Sequence, residues 1–333
     1  MESKTLCSIK DLRRTYGEVE ALSRISIDLR QNEFVSIIGP SGAGKTTLLR
    51  LIAGIEKPDG GTMEFSIPPG RDHPVILVFQ DFMLFPGMSV ARNVGFGLKS
   101  RGVTAEETKR RVNRLLEIFG IAGKAAAYPR LLSAGQQQRV AIARALAVQP
   151  EMLLLDEPFA HLDKSLKMET ALYLRSVQRE FAITMVAVTH DLEEAFAMSD
   201  RVGIMMFGRL VQLGPVEEVY ARPASFEAAR FLGPVNRFPA QLLEVMEYDG
   251  TIDPKARTFY CRAESMSLRP DSGGPGVVVE VHFTGILVLY KVRLEHKGHK
   301  TVLSVFSLEN GLKPGTAVSV GVTNLIVERE AYR

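Results

Sequence analysis

One eight-residue segment, Gly39-Pro-Ser-Gly-Ala-Gly-Lys-Thr46, restricts the possible folds of this chain most strongly. It fits the pattern G-x-x-x-x-G-K-[ST], follows the apolar run Phe34–Ile38, and precedes a helical pattern that starts at Thr46. The glycines let backbone N–H groups turn inward around a phosphate, and the N-terminus of the following helix adds a positive dipole. The segment therefore predicts a strand, a phosphate-binding loop and a helix, and with them nucleotide binding.

Two side chains of this loop have distinct predicted roles. Lys45 can reach the β- and γ-phosphates of a nucleotide, and the hydroxyl of Thr46 can bind Mg²⁺. The predicted nucleotide-binding residues of the loop are Gly39, Pro40, Ser41, Gly42, Ala43, Gly44, Lys45, Thr46 and Thr47.

Composition excludes several classes of protein. The 333 residues include 41 Lys and Arg against 38 Asp and Glu, which is not the basic excess of a protein held by nucleic-acid phosphates. We therefore expect no nucleic-acid partner, and the length favours about two domains. Cys7 and Cys261 suit no metal-ligand spacing. No apolar run approaches the ~18–20 residues that cross a bilayer, and the N-terminus does not resemble a signal peptide, so we expect a cytoplasmic protein.

The first part of the chain alternates apolar runs with amphipathic stretches. Continuous hydrophobicity predicts parallel strands that are covered on both faces. The predicted strands are Phe34–Ile38, Val75–Phe79, Met152–Leu155, Thr184–Val188 and Val202–Met206. Residues 104–119 begin with the capping-box pattern Thr104-Ala-Glu-Glu107 and carry apolar residues at helical spacing. This part therefore predicts an α/β domain with a mostly parallel sheet.

The pattern changes after about residue 230. The segment Phe231-Leu-Gly-Pro-Val-Asn236 indicates a junction, because Gly-Pro interrupts the preceding helical pattern. Beyond it, turn-rich pieces separate the predicted strands Val277–Phe283, Leu287–Leu294, Thr301–Phe306 and Ala317–Val322. We therefore predict a first domain at residues 1–234 and a small all-β barrel or sandwich at residues 235–333.

Polar residues stand at the ends of the predicted strands of the first domain. Asp156 follows Met152–Leu155 and suits a Mg²⁺ ligand, and the next residue, Glu157, is placed to polarise a water. Gln80 and His190 follow two further strands; either alone is more often a surface or core residue, but ligands gather at the carboxyl ends of parallel strands. The predicted catalytic residues are Glu157, His190 and Gln80, and the predicted metal ligands are Thr46, Gln80 and Asp156.

The segment Leu132-Ser-Ala-Gly-Gln-Gln-Gln-Arg139 resembles the signature motif of the ATP-binding cassette (ABC) family, and residues 1–234 resemble an ABC cassette throughout. The resemblance identifies an adenine-stacking A-loop, a Q-loop, a D-loop and a switch histidine, at Tyr16, Gln80, Ala160-His161-Leu162-Asp163 and His190 respectively. It also adds Ser133, Gly135, Gln136 and Asp163 to the nucleotide-binding residues. Two residues depart from the family pattern: Ala134 replaces a usual glycine, and His161 a common alanine.

The resemblance implies an α/β P-loop NTPase fold with a helical subdomain, and it implies ATP and Mg²⁺ as substrate and cofactor. It further implies a head-to-tail dimer, in which ATP lies between the phosphate loop of one chain and Ser133 and Gly135 of another. The second ATP-binding subunit is expected to be another copy of this chain. Hydrolysis would then drive import through transmembrane permease subunits at the inner face of the cell membrane, with a periplasmic or lipid-anchored solute-binding protein as an indirect partner.

The region after residue 234 resembles the OB-like or TOBE domain of bacterial importers for sulfate, ferric iron, polyamines or sugars, and the junction at Phe231–Asn236 leans toward the sulfate type. We expect this domain to regulate the enzyme or support the dimer. The competing interpretations are a non-transport ABC ATPase of the translation or DNA-repair type, and a P-loop kinase. The signature motif and His190 disfavour a kinase, and a single cassette with an added β domain favours an importer.

The four apolar residues Phe82–Phe85 allow two interpretations. They are either ordinary core or, as the resemblance implies, part of a groove that docks on a helix of the permease.

Overall fold

The structure is a computed structural model that describes residues 4–160, 162–251 and 256–326. Packing divides the chain into two units, Met1–Val219 and Tyr220–Arg333. The domain boundary that the sequence predicts after residue 234 stays a prediction, because these two units are defined by packing alone.

A six-stranded sheet forms the centre of the first unit. Its spatial order is β5-β6-β7-β3-β8-β9, with parallel pairing from β5 to β8 and antiparallel pairing of β9 with β8. These strands are β3 (Phe34–Ile38), β5 (Val75–Val78), β6 (Met152–Asp156), β7 (Thr184–Thr189), β8 (Arg201–Met206) and β9 (Arg209–Pro215). All residues of β3, β6 and β7 are buried, since both faces of the sheet are covered. The predicted parallel α/β sheet is confirmed.

A second, antiparallel sheet was not predicted. It has the order β2-β1-β4 and consists of β1 (Thr5–Tyr16), β2 (Val19–Arg30) and β4 (Gly60–Phe65). Along β2, Leu22, Ile25, Ile27 and Leu29 face inward and join a core with helix α1 (Lys45–Ile52) and one face of the central sheet. This sheet places Tyr16 at the end of β1.

Helices cover the central sheet and form a helical subdomain. They are α2 (Val90–Ser100), α3 (Ala105–Ile118), α4 (Ala134–Ala147), α5 (Lys164–Phe181) and α6 (Leu192–Met198), with 3-10 turns at Ala122–Lys124 and Pro129–Leu131. A further short helix, α7 (Val216–Ala221), follows β9. The helix predicted over residues 104–119 is confirmed as α3, and Thr104 Oγ1 accepts the N–H of Glu107 at 3.3 Å. Apolar residues of α2, α3 and α4 share one core.

The interpretation of Phe82–Phe85 as one docking surface is wrong for Phe82, which is 4% exposed and belongs to this core. Arg144 donates to the carbonyls of Phe82 and Met83, at 2.8 and 2.7 Å, and holds this turn in place. Phe85 is half-buried and its ring contacts that of Phe96, with centroids 4.5 Å apart. Within this one segment, the Phe82 side chain is therefore buried in the core, whereas Phe85 lies near the surface.

The second unit is rich in antiparallel strands but is not all-β. A five-stranded sheet has the order β12-β16-β13-β14-β15, and a second sheet pairs β10 with β11. The elements are α8 (Phe226–Phe231), β10 (Val235–Pro239), α9 (Ala240–Leu243), β11 (Thr258–Arg262), a 3-10 turn (Ala263–Ser265), β12 (Met266–Pro270), β13 (Gly276–Phe283), β14 (Val288–His296), β15 (His299–Ser307) and β16 (Ala317–Val322). The four predicted strands correspond to β13–β16. Within residues 235–333 the described helical segments are the four-residue α9 and one 3-10 turn, so strands dominate this region as predicted.

Two further features bear on the predictions from composition. Both cysteines, Cys7 and Cys261, are buried free thiols. In the described part of the chain, no helix combines the length and the apolar composition needed to cross a bilayer.

Candidate functional site

The predicted site residues meet at one edge of the central sheet. Strands β5, β6, β7 and β3 are neighbours and run parallel, so their carboxyl ends lie side by side. Gln80 follows β5, Asp156 ends β6, His190 follows β7 and Gly39 follows β3. This edge therefore gathers four chain segments that are far apart in sequence.

The phosphate loop is shaped by close backbone contacts. A Cβ at Gly39 would lie 2.1 Å from the carbonyl oxygen of Met205, and one at Gly44 would lie 2.4 Å from that of Ala21. Gly44 also has a φ of +96°, which side chains rarely allow. Glycine is thus required at both positions, and the loop is confined between β2 and β8 where α1 begins.

Lys45 lies within this loop. Its side chain is mostly buried, and its Nζ donates to the carbonyls of Gly39 at 2.8 Å and Pro40 at 3.0 Å. Burial lowers the pKa of Lys45, whereas the carboxylates of Glu157 and Asp156 oppose that change. The loop therefore presents a cation at the place where a nucleotide phosphate is expected.

Thr46 and Asp156 form an oxygen-rich pair. Thr46 Oγ1 donates to Asp156 Oδ1 at 2.9 Å, across the gap between α1 and β6. Burial raises the pKa of Asp156, and the hydrogen bond from Thr46 acts against that rise. In residues 4–160, 162–251 and 256–326, no group of three or more His, Cys, Asp or Glu side chains is arranged to hold a metal. The two oxygens fit an ion such as Mg²⁺ that also binds phosphates and water, and Gln80 is exposed in the loop after β5, the strand next to β6.

Glu157 and His190 form the second functional pair. His190 Nδ1 lies 2.9 Å from Glu157 Oε2, and the Glu157 N–H donates to the carbonyl of Val188 at 3.0 Å. Glu157 has a φ of +46°, a conformation that is rare for a side chain other than glycine. Such strain is often found at functional sites. A carboxylate held against an imidazole in this way can orient and deprotonate a water.

The N-terminus of α4 carries the signature residues. Ser133 caps the helix in a reciprocal capping box: its Oγ accepts the Gln136 N–H at 3.4 Å, and its own N–H donates to Gln136 Oε1 at 3.2 Å. A Cβ at Gly135 would lie 3.3 Å from the side chain of Leu166, so this glycine allows α5 to pack closely. Ala134 is the first helical residue, and alanine has the highest helix propensity of all residues.

Two further predicted site residues, Asp163 and Tyr16, lie outside the phosphate loop. Asp163 takes the N-cap position of α5, and its carbonyl accepts the N–H groups of Leu166 and Lys167, each at 3.0 Å. His161 lies outside the described residues. The Tyr16 ring is 41% exposed, its hydroxyl hydrogen-bonds Glu56, and the Arg14 guanidinium lies 4.8 Å from the ring centroid.

The structure thus joins Lys45, Thr46, Asp156, Glu157 and His190 through contacts or charge within one chain. The side chains of Ser133 and Gln136, by contrast, form hydrogen bonds within their own capping box at the start of α4.

Sequence reasoning missed the polar residues that support His190, namely Lys167, Thr189, Asp191 and Glu194. The spacing of Asp191 and Glu194, as N-cap and third helical residue, was a usable signal for a helix start. Nothing local indicated Lys167.

Comparison with known proteins adds to this geometry. The ABC transporter family profile matches residues 22–160. The spermidine/putrescine import ATP-binding protein PotA of Nitratidesulfovibrio vulgaris is 45% identical over 71% of this chain, which spans 65% of that protein. PotA 1 of Pseudomonas aeruginosa is 38% identical over 95% of this chain and 94% of its own length. The Fe(3+) ions import ATP-binding protein FbpC of Escherichia coli O157:H7 is 38% identical over 82% of this chain and 80% of its own length.

Solved structures agree in fold. A dimeric post-hydrolysis state of the ATP-binding cassette MJ0796, bound to ADP and Pi, is 31% identical, with a TM-score of 0.57 over 63% of this chain and 99% of that one. The cbiO1 protein of Clostridium perfringens, part of the ABC transporter complex cbiONQ, is 32% identical, with a TM-score of 0.61 over 66% of this chain and 91% of that one.

Proposed function

The chain belongs to the ABC transporter family and is an ABC-type ATPase, and on this premise we propose that it powers a bacterial importer. The ATPase part of this proposal is carried by the pairing of Thr46 with Asp156 and of Glu157 with His190 at one edge of the sheet. The importer part is supported by relatives whose names describe import ATP-binding proteins. One pair suits the binding of a metal-bound nucleotide, and the other suits the activation of water.

Nucleotide binding is assigned to the phosphate loop and Tyr16. The backbone N–H groups of residues 41–47 and the Lys45 ammonium bind the phosphates, and the adenine stacks on the exposed ring of Tyr16. Thr46 and Asp156, with Gln80, would hold Mg²⁺, which would neutralise phosphate charge.

Hydrolysis is assigned to Glu157 and His190. The Glu157 carboxylate accepts a proton from a water whose oxygen attacks the γ-phosphorus. The bond from that phosphorus to the β–γ bridging oxygen breaks, and ADP and inorganic phosphate are released. His190 Nδ1 keeps the carboxylate oriented toward the water.

The signature residues are assigned to a second subunit's nucleotide. Ser133, Gly135 and Gln136 stand at a capped helix N-terminus, where N–H donors and the helix dipole suit a γ-phosphate. We assign this nucleotide to another copy of the chain, with Asp163 near the same interface. ATP then joins two subunits, and its hydrolysis separates them.

Partners and substrate follow from the relatives, whose names describe spermidine/putrescine import and Fe(3+) ions import. We assign the chain to the inner face of a membrane, with permease subunits and, indirectly, a solute-binding protein. The transported solute is an ion. These names favour a polyamine or Fe³⁺ over the sulfate suggested by the junction. Residues 235–333 are assigned a regulatory or dimer-supporting role.

Substitution of Glu157 tests the proposed chemistry. Glu157→Gln should reduce the ATPase turnover by roughly 10²–10⁴-fold, because the general base is lost. ATP affinity, measured by calorimetry, should be preserved. The matched control is Glu151→Gln, because Glu151 precedes β6 at its opposite end and pairs with His73 at 2.7 Å. Near-normal turnover of Glu157→Gln would remove Glu157 from this role.

A further inference from the structure

A group of polar side chains lies behind His190 and joins α5 and α6 to the end of β7. The buried carboxylate of Glu194 accepts the hydroxyl of Thr189 at 2.8 Å and forms an ion pair with Lys167 Nζ at 2.9 Å. Lys167 Nζ also lies 3.4 Å from Asp191 Oδ2. Three polar residues close to His190 in sequence are thus connected to a lysine on another helix.

These contacts fix the backbone on both sides of His190. Thr189 Oγ1 accepts the Asp191 N–H at 3.0 Å, which closes a tight turn around the histidine. Asp191 Oδ1 then accepts the N–H groups of Glu193 at 3.0 Å and Glu194 at 3.3 Å, and so caps α6. This turn carries His190, whose Nδ1 lies 2.9 Å from Glu157 Oε2.

Lys167 is the member of the group that belongs to α5. Burial opposes its charge, but the hydrogen bonds and charges of Glu194 and Asp191 outweigh burial and raise the pKa of Lys167. The Glu194 side chain is only 4% exposed, so without Lys167 its carboxylate would be buried with no opposite charge beside it. Burial raises the pKa of Glu194, and the hydrogen bonds from Lys167 and Thr189 act against that rise.

We propose that Lys167 is a positioning residue for ATP hydrolysis, which orients His190 toward Glu157 by binding Glu194 and Asp191. It acts through the turn that carries the histidine. Among the residues that the structure describes, its ion pairs are with Asp191 and Glu194 and not with the phosphate loop or Glu157. Asp163 is the N-cap of α5, so the same lysine ties the segment assigned to the dimer interface to the catalytic histidine. This inference rests on the proposed function, since it concerns the same hydrolysis.

The test is steady-state ATPase of the full chain with Mg-ATP. Lys167→Met removes the charge and keeps the length of the side chain. We expect kcat to fall by about 10- to 100-fold, because small displacements of a catalytic group have effects of this size. KM should stay within about twofold, because Lys45 and Tyr16 are untouched. The matched control is Lys164→Met, one turn earlier on α5. Because the Lys164 side chain is 87% exposed, this substitution should leave kcat and KM unchanged.

A second variant separates positioning from stability. Lys167→Met with Glu194→Gln removes both charges, so no unpaired carboxylate remains buried and the melting temperature should return toward that of the wild type. The link to α5 is still missing, so kcat should stay low. The same variant serves if Lys167→Met alone does not fold.

Two results would overturn the inference. In the first, kcat of the double variant recovers together with its melting temperature. In the second, Lys167→Met has the same kcat as the control Lys164→Met. Failure of the proposed function would look different. In that case the wild type itself would show no hydrolysis that depends on Glu157.

Discussion

The ammonium group of Lys45 is held inside the phosphate loop by two carbonyls and attracted by the carboxylates of Asp156 and Glu157. We predict that Lys45→Ala weakens ATP binding by roughly 10- to 100-fold, the value of a charge-assisted hydrogen bond of about 1.5–3 kcal/mol. Calorimetric titration with ATP measures this change, and Lys109→Ala on the exposed face of α3 is the control. An unchanged affinity would contradict the role of Lys45.

The two thiols provide a second test on individual residues. Burial raises the pKa of Cys7 and of Cys261 to about 12 in each case. At pH 8 only about one thiol in 10⁴ is then ionised, so the folded protein should react with a disulfide reagent far more slowly than the unfolded protein. The unfolded thiols release protons first, so the free energy of unfolding should decrease as pH rises from about 8.5 toward 12.

Colorimetric titration in buffer and in guanidinium chloride measures this reactivity, with two thiols expected after unfolding. Rapid modification of both thiols in the native protein would contradict the burial of Cys7 and Cys261.

The turn between β5 and α2 shows how one segment divides between core and surface. Phe82→Ala should lower the free energy of unfolding by about 3 kcal/mol or more, because a buried aromatic ring leaves a cavity. Phe85→Ala should cost clearly less, since its ring is half-buried against Phe96. Urea unfolding of the two variants provides the comparison. Equal losses of stability would mean that Phe85 also belongs to the core.

For the molecule as a whole, the capped N-terminus of α4 leads to a prediction about assembly. Glu157→Gln with ATP should form a dimer of twice the mass of one chain, because bound nucleotide is not hydrolysed. Adding Ser133→Glu should prevent that dimer, because a carboxylate would face the γ-phosphate across the interface and the cap would be lost. Light scattering measures the mass, and Ser100→Glu at the exposed end of α2 is the control.

A dimer that persists in the Ser133→Glu variant would contradict the shared site. Its absence even in Glu157→Gln with ATP would contradict dimer formation by nucleotide.

Much of the fold and the site was determined by local sequence. Continuous apolar runs predicted the strands β3, β5, β6, β7 and β8, because a strand covered on both faces needs no polar alternation. The loop 39–46 and the carboxylates at 156–157 could be placed because they adjoin those runs. In the folded sheet, the strands β6, β7 and β3 are neighbours, and this order brings Asp156, His190 and the phosphate loop to one edge.

The tertiary structure alone decided which distant residues meet. No periodicity in Phe82–Phe85 tells which ring turns inward, since a loop has no repeating geometry. The pairing of Lys167 with Glu194 joins two helices separated by a strand, and only their packing brings the charges to 2.9 Å. The strand pattern of the sheet β2-β1-β4 was present in the sequence, but its role in the fold depends on packing against α1. Local chemistry is encoded in neighbouring residues, whereas burial and charge pairing depend on contacts that the whole chain must form.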